Sequence, residues 1–308
     1  MRLIATTALV ATAGVAIADV KVSGYARFGA VYNDGAAPGV DEVNTASRLR
    51  LQFDATTETD GGLTLGVRQR FQTEENDRNF GGNEARFFAS AGGLTIAMGN
   101  ILGVIESAPN LYLPTKSAGV GLEGNGFSEL AANTYTNGGA FGWTAYQSGG
   151  AAQDNDGVEV IYSMNGIGLH AHSTDSSYGL GANYKFADYT VAVAYEEWNE
   201  GARDGDNILF ASIGGKFGAF DAALSYADTE YAGLSAEKIS LRGGYTVNDA
   251  LYVYGFVADE DGPTGVSVDT AYGLGASYGL GGGASVEGGW TSNQNGDNIV
   301  SAGIFFSF

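Results

Sequence analysis

Arg48-Leu49-Arg50-Leu51-Gln52-Phe53-Asp54, followed by Leu65-Gly66-Val67-Arg68-Gln69-Arg70-Phe71-Gln72, is the stretch that decides the fold. Leu49, Leu51 and Phe53 take one parity, and Arg48, Arg50, Gln52 and Asp54 take the other. In the second run Leu65, Val67 and Phe71 alternate with Gly66, Arg68, Arg70 and Gln72. A period of two belongs to a β-strand, whose successive side chains point to opposite faces. One face here is apolar and the other carries several arginines, so the two faces meet different solvents. An arginine facing lipid at mid-bilayer would cost ~2–4 kcal/mol. In a membrane-spanning sheet the arginines must therefore turn inward, toward water.

The pattern spreads in both directions. Upstream, Val22, Ala26, Phe28 and Ala30 alternate with Ser23, Tyr25, Arg27 and Gly29. Downstream it continues through Val158-Glu159-Val160, Val191 to Tyr195, Phe220 to Tyr226 and Lys238 to Arg242. About sixteen such segments can be read, each near the ~9–11 residues that cross a bilayer as a tilted strand. Leu251 to Val257 gives no clear choice of face. Tight turns are expected at Thr59 to Gly61, Ala91 to Gly93, Asn165-Gly166, Ala187-Asp188, Gly218-Ala219, Asn248-Asp249 and Leu280 to Gly283. Longer polar connections are expected at Asn33 to Glu42, Glu74 to Asn83, Asn199 to Asp206, Asp228 to Ser235 and Asp259 to Gly265. Short turns on one side and longer loops on the other are the asymmetry of an outer-membrane barrel.

Composition agrees. Of 308 residues 49 are Gly, 17 Tyr and 16 Phe, and charged residues make up 16%, below the ~25% of soluble domains. Mean hydropathy is −0.04, too low for a helical membrane protein and expected of strands that are apolar on alternate residues. The net charge of −20 argues against nucleic acid as a partner. Cysteine is absent, so stability must come from the core and the backbone ladder. Residues 1–18 read as a signal peptide: Arg2, an apolar run from Leu3, then the small-x-small pattern Ala16-Ile17-Ala18. Residues 19–308 then form a single transmembrane barrel.

Residues 101–156 show no sustained alternation, and a connection of that length in a compact fold should be functional or disordered. Leu111, Leu113, Phe127, Phe141 and Trp143 are too many apolar groups for disorder. The segment is expected to pack inside the barrel and constrict it.

The chain ends Gly303-Ile304-Phe305-Phe306-Ser307-Phe308, an amphipathic strand closing on an aromatic. This end resembles the assembly signal of Gram-negative outer-membrane barrels. The stretches Gly24-Tyr25-Ala26-Arg27-Phe28-Gly29, Ser47-Arg48-Leu49-Arg50 and Thr57-Glu58-Thr59-Asp60-Gly61-Gly62-Leu63 resemble the general porins of α-proteobacteria, the photosynthetic-bacterial type in particular. The resemblance implies an all-β fold: a transmembrane antiparallel β-barrel of sixteen strands whose third external loop folds into the pore. It also implies a homotrimer in the outer membrane, contacts with outer-membrane lipids and lipopolysaccharide, and recognition of Phe308 by the barrel-assembly machinery.

Seven of the ten arginines fall between Arg27 and Arg86. Arg27, Arg48, Arg50, Arg68 and Arg70 share the polar face of three consecutive strands, and Arg86 joins from the fourth, making one wall of the lumen basic. The long segment supplies Glu106, Glu123 and Glu129. If it folds inward, as the resemblance implies, these carboxylates and the arginines set a transverse field across the constriction. Aromatics near segment ends, such as Tyr32, Tyr184, Phe186, Tyr195, Tyr245 and Tyr278, fit girdles at the lipid interfaces.

No enzyme is expected. His170 and His172 share a strand face beside Ser173, but two histidines and no cysteine form no ligand cluster, and a polar lumen or rim position accounts for them. Gly279-Leu280-Gly281-Gly282-Gly283-Ala284 fits a dinucleotide fingerprint in form only, since it joins two strands with no helix. No cofactor is required; Asp154 and Asp156 are weak candidates for a Ca2+ site at the acidic loops. The function expected is passive diffusion of small hydrophilic solutes and ions, with mild cation preference from the excess of acid. A substrate-specific channel of the same architecture is the nearest alternative, and a secreted β-sandwich or surface protein the next.

Overall fold

A computed structural model describes residues 19–75, 81–130, 135–136, 139–140, 142–149, 156–262 and 268–308. The signal-peptide reading of residues 1–18, and Phe141 and Asp154, lie outside the described residues. The first strands are β1 (Asp19–Asn33), β2 (Val43–Glu58), β3 (Thr64–Glu74), β4 (Gly81–Gly82 continued by Arg86–Ala91) and β5 (Leu94–Asn100). Both pieces of β4 pair with β3, so they form one interrupted strand. Then come β6 (Asp156–Met164), β7 (Ile167–Thr174), β8 (Ser177–Phe186), β9 (Tyr189–Trp198) and β10 (Asn207–Phe217). The last six are β11 (Phe220–Tyr231), β12 (Leu234–Thr246), β13 (Leu251–Asp261), β14 (Ala271–Gly281), β15 (Ala284–Ser292) and β16 (Asn298–Ser307). Each strand runs antiparallel to the next, and β16 returns to β1 with Phe28 opposite Ile304. Sixteen strands thus close into a barrel with no free edge, the only arrangement of a sheet that satisfies its backbone in lipid. Phe308 fastens the seam through reciprocal backbone hydrogen bonds with Gly24 at 3.0 Å.

The alternation assigns the two faces as the sequence predicts. Phe28, Leu180 and Leu274 stand outward at 54%, 63% and 66% exposure, while Arg27, Glu159 and Ser301 on the other parity are buried. Near the tight turns, the rings of Tyr184, Phe186, Tyr189 and Phe217 contact one another in a row across β8 to β10, with centroids 5.4–5.8 Å apart. Phe220 and Tyr245 continue the band on β11 and β12 at 4.4 Å. A belt of touching rings is what the interfacial edge of a membrane barrel requires.

All seven expected tight turns join consecutive strands at one end of the barrel. Asn165 and Gly166 take φ of 52° and 83°, the left-handed pair that a two-residue hairpin demands. At the other end one expectation fails. Asp228 to Ser235 is not a long loop: β11 and β12 pair through Asp228↔Glu237 and Glu230↔Ser235 and turn on Ala232-Gly233. At this end of the hairpin the outward parity turns polar, with Asp228, Glu230, Ser235 and Glu237, so the alternation fades before the strands stop. The face of β13 is also settled, with Tyr254 and Phe256 inward and Val253 and Val257 outward. Both faces read apolar because the lumen face is covered by the long loop.

That loop, the third connection at its end of the barrel, runs inside. Val104, Ile105 and Leu111 are buried against Ala194, Ile208 and Phe210 on β9 and β10. Further along, Leu113, Val120 and Leu130 are buried against Tyr254, Phe256 and Ala258 on β13. Among its described residues one short helix, α1 (Phe127–Leu130), interrupts it.

Candidate functional site

Residues 101–130 lie along the inner wall from β6 round to β16, and residues 146–149 return beside Arg70 and Gln72 of β3, so the lumen narrows against the wall made by β1 to β4. That wall carries the arginines. Cross-strand register places Arg48 opposite Glu74, Arg50 opposite Gln72, Gln52 opposite Arg70 and Asp54 opposite Arg68, all with side chains on the lumen face. Arg48 and Glu74 form an ion pair at 2.7 Å, as do Arg68 and Asp54. Arg27, on β1, reaches across the seam to loop residue Glu123 at 3.1 Å. Of the three loop acids read from the sequence, Glu123 therefore meets the basic wall directly. Glu106 accepts hydrogen bonds from Tyr112 Oη at 2.8 Å and Trp143 Nε1 at 3.0 Å, and its charge acts on Arg50 through space. Burial and the Glu106 carboxylate push the Tyr112 phenol upward, so it stays a donor to that carboxylate. Glu129 stands elsewhere: its charge neighbours are Lys238 and Glu260, an ion pair at 3.1 Å across β12 and β13.

Glu129 supplies a pH prediction. Burial raises its pKa, with the Glu260 charge adding to the effect and Lys238 opposing it. A carboxyl whose native pKa lies above its unfolded value contributes stability below the unfolded value, about 4.3, and loses it as pH climbs through the native one. Glu129→Gln should thus melt higher than the parent protein at pH 7, and the two melting temperatures should converge on acidification. Thermal unfolding across that range in detergent is the measurement.

The opposite wall, from β6 round to β16, holds the loop down at both ends. Glu159 on β6 is 1% exposed and accepts from Arg86 Nε at 2.5 Å, from the loop amide of Leu102 at 3.2 Å and pairs with His170 at 2.8 Å. On β7, His172 Nδ1 accepts from the amide of Val104 at 3.1 Å. Its Nε2 faces Glu196 Oε2 of β9 at 3.8 Å, and Glu196 Oε1 takes the amide of Thr144, near the far end of the loop, at 2.7 Å. Arg86 thus belongs to a buried cluster that anchors the loop's first residues. Farther on, Leu122 N donates to Ser301 Oγ at 2.9 Å, Gly121 N to Tyr254 Oη at 3.2 Å, and Lys116 approaches Glu287 at 3.6 Å.

Glycines on the inner wall make the seat. A Cβ on Gly29 or on Gly303, paired across the seam, would meet Leu122 Cδ2 at 2.6 Å, and one on Gly179 would meet Val104 Cγ2 at 2.5 Å. These seats, and the roles of Glu159, Glu196 and Ser301, are not read from the sequence. Part of the signal was there: the two-residue turn at Asn165-Gly166 fixes the β6–β7 register, which sets Glu159 opposite His172. Asp156 is exposed at the start of β6. Among the described residues no group of three or more His, Cys, Asp or Glu side chains is placed to hold a metal ion.

A closed transmembrane barrel, polar within and narrowed by its own loop, defines a water-filled channel through a membrane. The Gram-negative porin family model matches residues 5–298, and the chain belongs to that family. A porin of Fuscovulum blasticum is 29% identical over 306 residues, spanning 94% of this chain and 100% of the relative. A porin of Rhodobacter capsulatus is 29% identical over 328 residues with the same coverage. Among solved structures, a mutant of Rh. blastica porin superposes with a TM-score of 0.80 at 29% identity, covering 94% of this chain and 100% of that one. The protein is an outer-membrane porin channel.

Proposed function

We propose that this porin passes small hydrophilic solutes and ions passively and without catalysis, its cut-off set by the long loop and its field by the arginine wall. The observation that carries the reading is the loop's course: it is bonded to the inner wall from Glu159 round to Ser301 and brings Glu123 onto Arg27. The loop then closes on the cationic wall at Arg27, and beyond that contact its Glu106 charge acts on Arg50 through space. A solute that cannot orient in that field must displace ordered water without replacing its interactions, so apolar solutes are disfavoured. The same reading includes export through residues 1–18, a homotrimer in outer-membrane lipid and lipopolysaccharide, and recognition of Phe308 during assembly. It also includes Ca2+ at the acidic loops beside Asp156. Small ions are expected to show mild cation preference from the excess of acid.

Single-channel recording of the detergent-extracted protein tests the reading: stepwise ohmic openings are expected, and a reversal potential of clear anion selectivity under a KCl gradient would overturn the cation preference. Replacing Arg48 and Arg50 with small neutral residues should raise conductance and cation preference with the barrel intact. Unchanged conductance would place both side chains away from the constriction.

A further inference from the structure

The four rungs between β2 and β3 are not equivalent. The outer arginines, Arg48 and Arg68, are neutralised by Glu74 and Asp54. The inner two are braced by neutral amides: Arg50 Nε donates to Gln72 Oε1 at 2.6 Å, and Arg70 Nε to Gln52 Oε1 at 2.6 Å. Each glutamine turns its own NH2 to the neighbouring acid, Gln52 to Asp54 at 2.6 Å and Gln72 to Glu74. The amide oxygens are thereby fixed toward the arginines. Among the described residues neither Arg50 nor Arg70 has a carboxylate within ion-pair distance.

We propose that Arg50 and Arg70 form a subsite in the lumen that holds the carboxylate group of a small monoanionic solute in passage; this rests on the porin reading above. A guanidinium held through Nε keeps its two terminal nitrogens for another acceptor, in a planar fork that matches a carboxylate. Both terminal nitrogens of Arg50, and one of Arg70, have no protein acceptor among the described residues, and none is a buried unsatisfied atom. They open onto lumen water. The second terminal nitrogen of Arg70 reaches Ser148 Oγ of the loop at 3.4 Å, which sets the loop beside the site. Tyr25 lies under Arg50 at 5.2 Å and Tyr146 under Arg70 at 4.5 Å, two rings that hold the cations in place without cancelling their charge.

Arg50 and Arg70 repel each other across this short span. A fold that needed only a stable ladder would put acids on the inner rungs as it does on the outer ones. With glutamine there, the repulsion persists until an anion arrives. Glu74 on the neighbouring rung and Glu106 on the loop both act on Arg50 and partly offset the positive charge, which favours a monoanion over dianionic phosphate.

The test is single-channel current at constant ionic strength and voltage as chloride is replaced stepwise by acetate. The parent channel should lose current along a saturating curve steeper than the change in bulk conductivity. Arg50→Gln or Arg70→Gln should raise the half-saturating acetate about tenfold, the loss of one charge-assisted contact. Gln52→Glu with Gln72→Glu should abolish saturation with both arginines in place, so the test survives if an arginine variant fails to insert. Current that simply follows bulk conductivity in the parent channel overturns the proposal, as does saturation by phosphate at lower concentration than by acetate. Ohmic steps in chloride that persist in either case leave the porin reading standing; their absence would remove both.

Discussion

Replacing Glu159 with alanine should destabilise the barrel in detergent by about 3–5 kcal/mol, the usual cost of leaving a buried charge without its partner. The carboxylate is the ion-pair partner of Arg86, which is 6% exposed, and it also takes His170 and the amide of Leu102. Its loss strands a guanidinium and frees the first residues of the constriction loop together. The effect should appear twice, as a lower urea midpoint for unfolding and as flicker in the open-channel current. Changing both partners, Arg86→Met with Glu159→Leu, should recover much of the stability, because two matched apolar side chains leave no orphan charge. The flicker should persist, since the acceptor for Leu102 is still missing. A stability loss of about 0.5 kcal/mol or less, the range of a surface substitution, would show that water reaches the pair.

What the sequence discloses follows from which interactions are local. Strand existence, facing and the tight turns rest on residues within a few positions of one another, so Leu49 against Arg50 or Asn165-Gly166 can be read directly. Alternation misleads where its cause is missing. Toward the tip of the β11–β12 hairpin the outward parity is polar as well, and Asp228 to Ser235 reads as loop although the strands continue pairing to Tyr231↔Leu234. On β13 the lumen face is roofed by the loop, so Tyr254 and Phe256 look like lipid-facing residues. The arginine wall is legible because its members share adjacent strands. Its acids are harder: Glu123 meets Arg27 across 96 positions and Leu122 meets Ser301 across 179, distances at which periodicity carries no information. Glu129 has the same charge and lies in the same loop as Glu123, yet it settles beside Lys238 on another wall. Which acid faces the arginines depends on where the loop is pinned.

The pinning itself can be tested where no charge is involved. Gly289, on the lumen face of β15, lies directly beneath the loop: a Cβ there would strike Val120 Cγ1 and come within 3.0 Å of Gly121 N. Valine at this position suits a strand, so pairing with Gly275 and Ser301 should survive and the barrel should still insert. Its bulk meets the loop first, at Val120 Cγ1, and Leu274 O of β14 next, at 2.9 Å. Overpacking of this kind costs about 1–3 kcal/mol, as much as the hydrogen bonds from Gly121 to Tyr254 and from Leu122 to Ser301 together return at ~0.5–1.5 kcal/mol each, so relieving it offsets their loss. Gly289→Val should therefore lift residues 120–122 off the wall and push them toward the arginines. Conductance should fall and fluctuate while the strand content measured by circular dichroism stays unchanged. Gly279→Val on β14 is the matched control, because a Cβ there meets nothing nearer than Ala250 O at 3.6 Å. Equal conductance in the two variants would mean that the loop does not rest on β15, and the seat described for it would have to be abandoned.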